Sequence, residues 1–141
     1  MAKLTRFGVS VDDDLLKKFD EIIKNKKYEN RSEAIRDLIR NLIVEEEWAK
    51  KNFNNDSIGT INLVYDHHKR ELLNKLNHIQ HDYNKYIVSD THVHLDHNNC
   101  LDVIIVRGKT GKLKEIADKL ISLKGIKFGK LSIATIGKNL K

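Results

Sequence analysis

One short strand pattern near the start of the chain has no partner within its own domain, and this feature restricts the fold most. Residues 6–11 (Arg-Phe-Gly-Val-Ser-Val) alternate between two faces, and one of these faces is apolar, which predicts a strand. Two helix patterns follow, over residues 15–23 and 32–48, before a polar stretch at residues 52–59. A strand left alone has unpaired backbone groups and an uncovered apolar face. Its economical partner is the same strand of a second chain, so we expect an obligate dimer built on a two-stranded antiparallel ribbon.

Capping residues mark the start of both helices. Asp12, Asp13 and Asp14 offer a cap and place negative charge in the first turn of the first helix. Ser32 is a good N-cap for the second helix. We therefore expect that helix to begin just after Ser32 and to run on toward Trp48.

Strand and helix patterns alternate after the polar stretch, which is the best candidate for a linker. A Gly-Lys-Thr-Gly sequence at residues 108–111 predicts a turn. The order is β-α-β-β-α-β, which is the ferredoxin-like pattern. The sequence thus predicts an α+β protein with two domains, residues 1–51 and residues 52–141. The predicted elements of the second domain are strand 60–66, helix 69–79, strands 86–95 and 101–106, helix 113–121 and strand 128–136.

Composition and charge exclude several classes of protein. The chain has a net charge of +6, no apolar run long enough to span a membrane, and no apolar stretch after its first basic residues, so we expect no membrane segment and no secretory signal. A single cysteine cannot form an internal disulfide, which favours a cytoplasmic protein with a reduced thiol. Residues 1–50 hold 11 basic and 11 acidic residues, so the basic surplus lies in the remainder of the chain. Net charge is therefore weak evidence that the N-terminal strand binds nucleic acid.

The N-terminal residues nevertheless resemble a known family. The run from Arg6 to Leu16, followed by Asn-Arg-Ser-Glu-Ala-Ile-Arg-Asp-Leu-Ile at residues 30–39, is similar to the ribbon-helix-helix DNA-binding proteins. This resemblance implies that Arg6, Gly8 and Ser10 face the DNA major groove, which admits a two-stranded ribbon. It also implies that the helix N-terminus near Ser32 binds a phosphate. The alternative is that the strand forms the edge of an ordinary α+β domain.

The second informative feature is the distribution of metal-ligand residues. All seven histidines and the only cysteine lie between His67 and Cys100. His92 and His94 are two residues apart on a predicted strand, so they share a face, and Cys100 follows a polar turn on the returning strand. Two imidazoles and one thiolate need a fourth ligand to complete a square plane for Ni(II) or Cu(II), or a tetrahedron for zinc. Spacing alone leaves His81 and His78 open as that fourth ligand.

The metal-ligand segment also resembles a particular family. Gln80-His81, together with the run Thr-His-Val-His-Leu-Asp-His-Asn-Asn-Cys-Leu-Asp at residues 91–102, is similar to the nickel-responsive regulators called NikR. The resemblance implies an ACT-like second domain that joins two ribbon dimers into a homotetramer. It implies one square-planar Ni(2+) per subunit at the tetramer interface, held by His92, His94 and Cys100 of one subunit and by His81 of a neighbour.

Other residues carry weaker expectations. Lys69 and Arg70 match a basic pair that NikR proteins place on the DNA backbone, although a solvated pair is an equal alternative. Glu33 and Asp37 share a helix face, and the resemblance suggests a second cation site there between the two domains. Neutralisation by nearby arginines competes with that interpretation. Asp102 is expected either to orient a ligand or to be simply exposed. His67, His68, His78 and His97 are expected to be mostly solvated, with secondary metal contacts as the alternative.

These observations predict a nickel-responsive transcriptional regulator, and the resemblance implies that it represses nickel-uptake genes by binding a palindromic double-stranded DNA operator. A nickel or copper storage or delivery protein is the alternative, but such a protein makes no use of the N-terminal strand. An enzyme is not expected, because a metal with four protein ligands has no open position for substrate.

Overall fold

The computed structural model describes residues 3–136 of the chain. The chain divides into two compact units, and the division falls between Glu46 and Glu47. Among the described residues, no helix is long and apolar enough to cross a membrane.

The first unit contains a helical pair. Helix α1 spans Asp13–Asn25, and Asp12 caps it by accepting a hydrogen bond from the backbone N–H of Asp14 at 3.0 Å, as the sequence predicts. Helix α2 spans Arg31–Lys51 and continues past the unit boundary.

The prediction that Ser32 caps α2 is wrong. The helix already begins at Arg31, and Asn30 Oδ1 accepts a hydrogen bond from the backbone N–H of Glu33 at 2.9 Å. Asparagine caps a helix as well as serine does, so residue type alone did not decide between the two. Ser32 therefore lies in the first turn of the helix, where it is exposed.

Residues 3–12 form no hydrogen-bonded strand in the single chain, and all of them are exposed. The apolar face predicted for this segment is uncovered, since Phe7 and Val9 are 67% and 70% exposed. This is the behaviour expected of a strand whose partner belongs to another chain. The ribbon itself stays a prediction.

The second unit is built on a four-stranded antiparallel sheet. Its strands are β1 (Asp56–Tyr65), β2 (Ile87–His94), β3 (Cys100–Lys109) and β4 (Ile126–Thr135). Their spatial order is β2-β3-β1-β4. One α-helix and a short 3-10 helix (Asn84–Tyr86) lie between β1 and β2, and a second α-helix lies between β3 and β4. This is the β-α-β-β-α-β arrangement that the sequence predicts.

One face of the sheet packs against the two helices of this unit, α3 (Arg70–Asp82) and α4 (Thr110–Ile121). Alternate residues of β1 and β3 are buried there, because successive side chains of a strand point to opposite faces. The resulting core consists of Ile61, Leu63, Tyr65, Leu72, Leu76, Cys100, Ile104, Val106, Leu113, Ile116, Ala117 and Leu120.

Two boundary predictions are wrong, and one local structure explains both. The predicted linker ends at residue 55 because β1 begins at Asp56, and the predicted turn at residues 108–111 does not form because β3 leads directly into α4. The backbone N–H groups of Thr110 and Gly111 donate to the carbonyl oxygens of Asn55 (2.9 Å) and Phe53 (3.0 Å). The start of α4 is thus capped by distant main chain, which no local pattern could show.

Candidate metal centre

The hairpin formed by β2 and β3 places the candidate metal ligands of one strand opposite those of the other. In the antiparallel register His94 pairs with Cys100, and His92 pairs with Asp102. Directly opposed residues share a face of the sheet, so these four side chains lie on the helix-covered face. The rings of His92 and His94 have centroids 5.0 Å apart.

A compact polar turn holds the two strands in this register. Asp96 Oδ1 accepts hydrogen bonds from the backbone N–H groups of Asn98 and Asn99, both at 2.8 Å. The amide side chain of Asn99 hydrogen-bonds to the same carboxylate, and this contact, more than any other, lowers the pKa of Asp96. The turn therefore fixes the register in which the histidine pair on β2 faces Cys100 on β3.

Asp102 is the residue that orients His92. Its side chain is only 6% exposed, and its Oδ1 lies 2.5 Å from His92 Nδ1. Its other oxygen accepts a hydrogen bond from the hydroxyl of Tyr65, also at 2.5 Å. A carboxylate accepts only, so Nδ1 of His92 carries the proton and Nε2 is left as the ligand atom. The alternative expectation of an exposed, solvated Asp102 is therefore wrong.

Cys100 is fully buried beneath this network. Its thiol donates to the backbone carbonyl of Tyr65 at 3.5 Å. Burial is the main reason that the pKa of Cys100 lies above its usual value, and the carboxylates of Asp102 and Asp66 add to this effect. The free thiol form is favoured in the single chain, so binding of a cation would have to displace its proton.

The predicted ligands do not form a complete metal site within one chain. Among residues 3–136, no group of three or more histidine, cysteine, aspartate or glutamate side chains is arranged to hold a metal ion. His81 is exposed in the last turn of α3, and within the described part of the chain it makes no hydrogen bond or ring contact with His92, His94 or Cys100. His78 is also exposed, and its Nε2 lies 3.4 Å from the carboxylate of Asp82.

The residues that are present nevertheless fit a borderline transition metal. Imidazole nitrogen and thiolate sulfur are the donors that nickel, copper and zinc accept, and His92 is already held in the ligating tautomer by a carboxylate. When bound, such a metal would draw the thiol of Cys100 into its thiolate form and cross-link the two strands of the hairpin.

Three further histidines lie beside this hairpin. His67 is half-buried, and its ring lies 5.1 Å from that of His94 and 4.2 Å from that of His68. Burial is the main cause that lowers the pKa of His67. The ring of His68 lies 5.2 Å from that of His97. His67 is therefore less solvated than expected, and whether it contacts a metal stays a prediction. The sequence signal for its partial burial is its position two residues after the buried end of β1.

The candidate DNA-binding residues of the first unit are all accessible. Arg6, Gly8 and Ser10 are exposed, and a Cβ built on Gly8 would meet nothing within 4 Å. Their contact with bases stays a prediction, as does the contact of Ser32 with a phosphate.

In the second unit, Lys69 and Arg70 lie at the N-terminus of α3, where Lys69 makes no capping hydrogen bond through its side chain. Together with Lys75 and Lys124 they line an open hollow of about 290 Å³. Sequence reasoning missed Lys124, because it lies more than 50 residues away in the loop after α4 and only the fold brings it to this hollow. Glu71 also lines the hollow and pairs with Lys75 at 3.2 Å, so the lining keeps a positive surplus, which suits phosphate oxygens.

The acidic pair on α2 already has cationic and hydroxyl partners. Glu33 pairs with Arg36 at 3.1 Å, and Asp37 pairs with Arg40. Asp37 also accepts a hydrogen bond from the hydroxyl of Tyr28 at 2.5 Å, and this bond is the main cause that lowers the pKa of Asp37. These contacts favour neutralisation by arginine, and cation binding at this pair stays a prediction.

Comparison with known families assigns both units. Residues 5–46 match the model described as "Ribbon-helix-helix protein, copG family", and residues 58–134 match the model described as "NikR C terminal nickel binding domain". A ribbon-helix-helix unit joined to a nickel-binding domain defines a metal-responsive DNA-binding regulator of transcription and not an enzyme.

Relatives that match this chain over nearly its whole length support the same family assignment. A protein of Thermococcus onnurineus is 54% identical over 98% of this chain and 99% of its own length, and one of Solibacter usitatus is 51% identical over the full length of both. Both are named "Putative nickel-responsive regulator". The chain belongs to the NikR family of nickel-responsive regulators.

A solved structure supports the fold alone. An uncharacterised protein of Thermotoga maritima superposes with a TM-score of 0.52 at 11% identity and covers 57% of this chain and 100% of its own. The storage or delivery alternative leaves residues 5–46 without a role, and the family assignment excludes it as the main function.

Proposed function

We propose that this regulator represses genes for nickel uptake in the cytoplasm by binding a palindromic operator as a homotetramer with one Ni(2+) per subunit. Two ribbon dimers joined through their second units would form the tetramer. The repressor role, the palindrome and the stoichiometry go beyond the family assignment and rest on the resemblance of the ligand segment to NikR.

The observation that carries the metal site is the contact between His92 Nδ1 and Asp102. A buried carboxylate that fixes one imidazole nitrogen leaves the other prepared for a metal, and such an arrangement is typical of metal-ligating histidines. The opposed pair of His94 and Cys100 supplies two further donors on the same face. We infer that His81 of a neighbouring subunit completes the set, because the exposed end of α3 offers its imidazole to solvent.

The chain's own residues explain how occupancy of this site affects DNA binding. Ligands from two subunits hold those subunits together, so an occupied site stabilises the tetramer. Arg6 and Ser10 of each ribbon would contact base edges, whereas Lys69 and Arg70 would contact phosphates. The equilibrium shifts only to the extent that the DNA-competent arrangement binds the cation more tightly than the alternatives do.

The decisive experiment measures operator binding with and without nickel. We expect His92→Ala and Cys100→Ala to abolish nickel-dependent DNA binding. We expect His78→Ala, which alters an exposed histidine on α3, to leave it unchanged. A gel-shift assay with nickel titrated into each protein makes the comparison, and circular dichroism checks that each variant is folded.

Two results would separate the parts of the proposal. Full nickel-responsive binding by His92→Ala and Cys100→Ala would refute the ligand assignment. Light scattering that shows a dimer at saturating nickel would refute the tetramer while leaving the ligands of a single subunit in place.

A further inference from the structure

Gly8 is the one described glycine for which the single chain offers no structural reason. At four of the others, an added Cβ would lie 3.0 Å or less from another residue: Gly59, Gly108, Gly111 and Gly129. A fifth, Gly125, has a positive φ of 103°. At Gly8 an added Cβ would meet nothing within 4 Å, and its φ is not positive. Neither packing nor backbone conformation among residues 3–136 therefore requires a glycine at this position.

A glycine inside a strand is unfavourable unless something approaches its backbone closely. Glycine loses more conformational freedom on folding than any other residue, and it brings no side chain to the strand. Gly8 lies within residues 6–11, the segment whose alternation predicts the ribbon strand. Strands pair edge to edge, and their side chains stand off the two faces of the sheet, so an alanine at this position would not obstruct the ribbon. The partner strand thus gives no reason for the glycine either.

The residues that share a face with Gly8 indicate what approaches it. In the predicted ribbon, Arg6 and Ser10 lie on this face, because side chains two residues apart point the same way, and both residues are exposed. The apolar Phe7 and Val9 belong to the opposite face, so this one is polar. Serine is short, and Ser10 reaches a base edge only if its own backbone lies close to that base. A missing side chain at residue 8 and a short one at residue 10 leave room for such an approach.

We propose that Gly8 lets the ribbon backbone lie directly against base edges in the DNA major groove, so that Ser10 can reach a base. This inference rests on the proposed DNA-binding function and adds the role of the middle position of each strand. The major groove is about 12 Å wide and admits a two-stranded ribbon, so the depth of insertion decides which side chains reach the bases. Arg6 and Ser10 read the sequence, whereas Gly8 supplies the close approach and reads nothing through a side chain.

The test compares specific with non-specific DNA binding by Gly8→Ala. The specific probe is a duplex that the native protein, loaded with nickel sulfate, selects from a pool of random sequences, and the non-specific probe is an unselected duplex of equal length. A Cβ at residue 8 would hold the ribbon away from the bases, but the phosphate contacts that dominate non-specific binding would remain. We expect Gly8→Ala to bind the selected duplex about tenfold more weakly, as for one lost base contact, and the unselected duplex with native affinity.

Two further measurements separate this role from a structural one. Gly8→Ala should keep the native mass in light scattering, and its free energy of unfolding should be unchanged or slightly higher, because alanine restricts the unfolded chain where the native backbone tolerates it. Ser10→Ala is the positive control and should also weaken binding to the selected duplex. His78→Ala alters an exposed histidine on α3 and should keep both affinities.

Every other result overturns the inference. Native affinity of Gly8→Ala for the selected duplex would mean that the backbone does not lie against the bases. An equal loss for both duplexes would assign the effect to phosphate contacts, and a lower free energy of unfolding or a smaller mass would assign the glycine to the ribbon itself. A native protein that selects no duplex would refute the proposed DNA-binding function, and this inference with it, before any variant is compared.

Discussion

Asp102 provides the sharpest test of how this fold prepares a metal ligand. Its carboxylate is buried and accepts hydrogen bonds from both His92 and Tyr65. Asp102→Asn keeps the shape of the side chain but leaves one oxygen to accept and adds an amide that can only donate. Both neighbours are donors, so one of them must lose its acceptor, or the His92 ring must change its tautomer.

The size of the expected loss in nickel affinity follows from these contacts. Replacing the partner that orients a ligating histidine lowers metal affinity by roughly 10–100-fold, which corresponds to about 1.4–2.7 kcal/mol. A hydrogen bond to a charged group contributes about 1.5–3 kcal/mol, so a single lost bond accounts for an effect of this size. Removing a buried charge offsets part of the loss in folding stability. Metal affinity should therefore change more than the free energy of unfolding does.

The assay is competition for nickel between the protein and a chelator of known affinity. Asp118→Asn is the matched control, because the Asp118 carboxylate lies on α4, is 67% exposed and pairs with Lys114 at 3.5 Å. We expect Asp118→Asn to bind nickel as the native protein does. If Asp102→Asn also kept native affinity, the argument that the buried carboxylate prepares His92 would fail.

Three further predictions concern the fold. A Cβ at Gly111 would lie 2.0 Å from the ring of Phe53, so we expect Gly111→Ala to lower the free energy of unfolding by about 1–3 kcal/mol, and unchanged urea denaturation would show that the ring moves aside without cost. Asn30→Ala should lower the free energy of unfolding, measured by thermal denaturation, by about 1 kcal/mol, and Ser32→Ala should lower it much less. The reverse order would show that Ser32 is the cap. Leu120 is fully buried, so Leu120→Ala should cost about 2–5 kcal/mol by chemical denaturation, and a loss below 1 kcal/mol would mean that the core refills the space.

The sequence predicts the elements of the second unit well because each one carries a strong periodic pattern. The alternation of β3 continues through Cys100 and Asp102, so the register that opposes His92 and His94 to these residues follows from the same pattern. The burial of Asp102 does not follow from the pattern, because an aspartate at an alternating position is compatible with either face until a partner for its charge is known. That partner, the hydroxyl of Tyr65, lies 37 residues away in the sequence.

Other features depend on contacts that no local pattern contains. The cap of α4 comes from the carbonyl oxygens of Phe53 and Asn55, so the Gly-Lys-Thr-Gly sequence resembled a turn when it was considered alone. Likewise, the approach of His67 to His94 depends on how the end of β1 meets the hairpin. The opposite holds for residues 6–11, where the strand pattern is clear but the predicted partner belongs to another chain.

The metal centre and the hydrophobic core of the second unit depend on the same alternation. Cys100 and Asp102 share a face of β3 with Ile104 and Val106, which pack in the core. A slip of one residue in the pairing of β3 would turn all four side chains to the opposite face of the sheet. Leu101 would then point toward the core in their place. Burial of the core therefore selects the one register that brings a thiol opposite His94 and a carboxylate opposite His92. The core enforces this register whether or not a metal is bound, so the hairpin half of the proposed site is prepared in advance. In our proposal, the cation then recruits only the last ligand and the subunit that carries it.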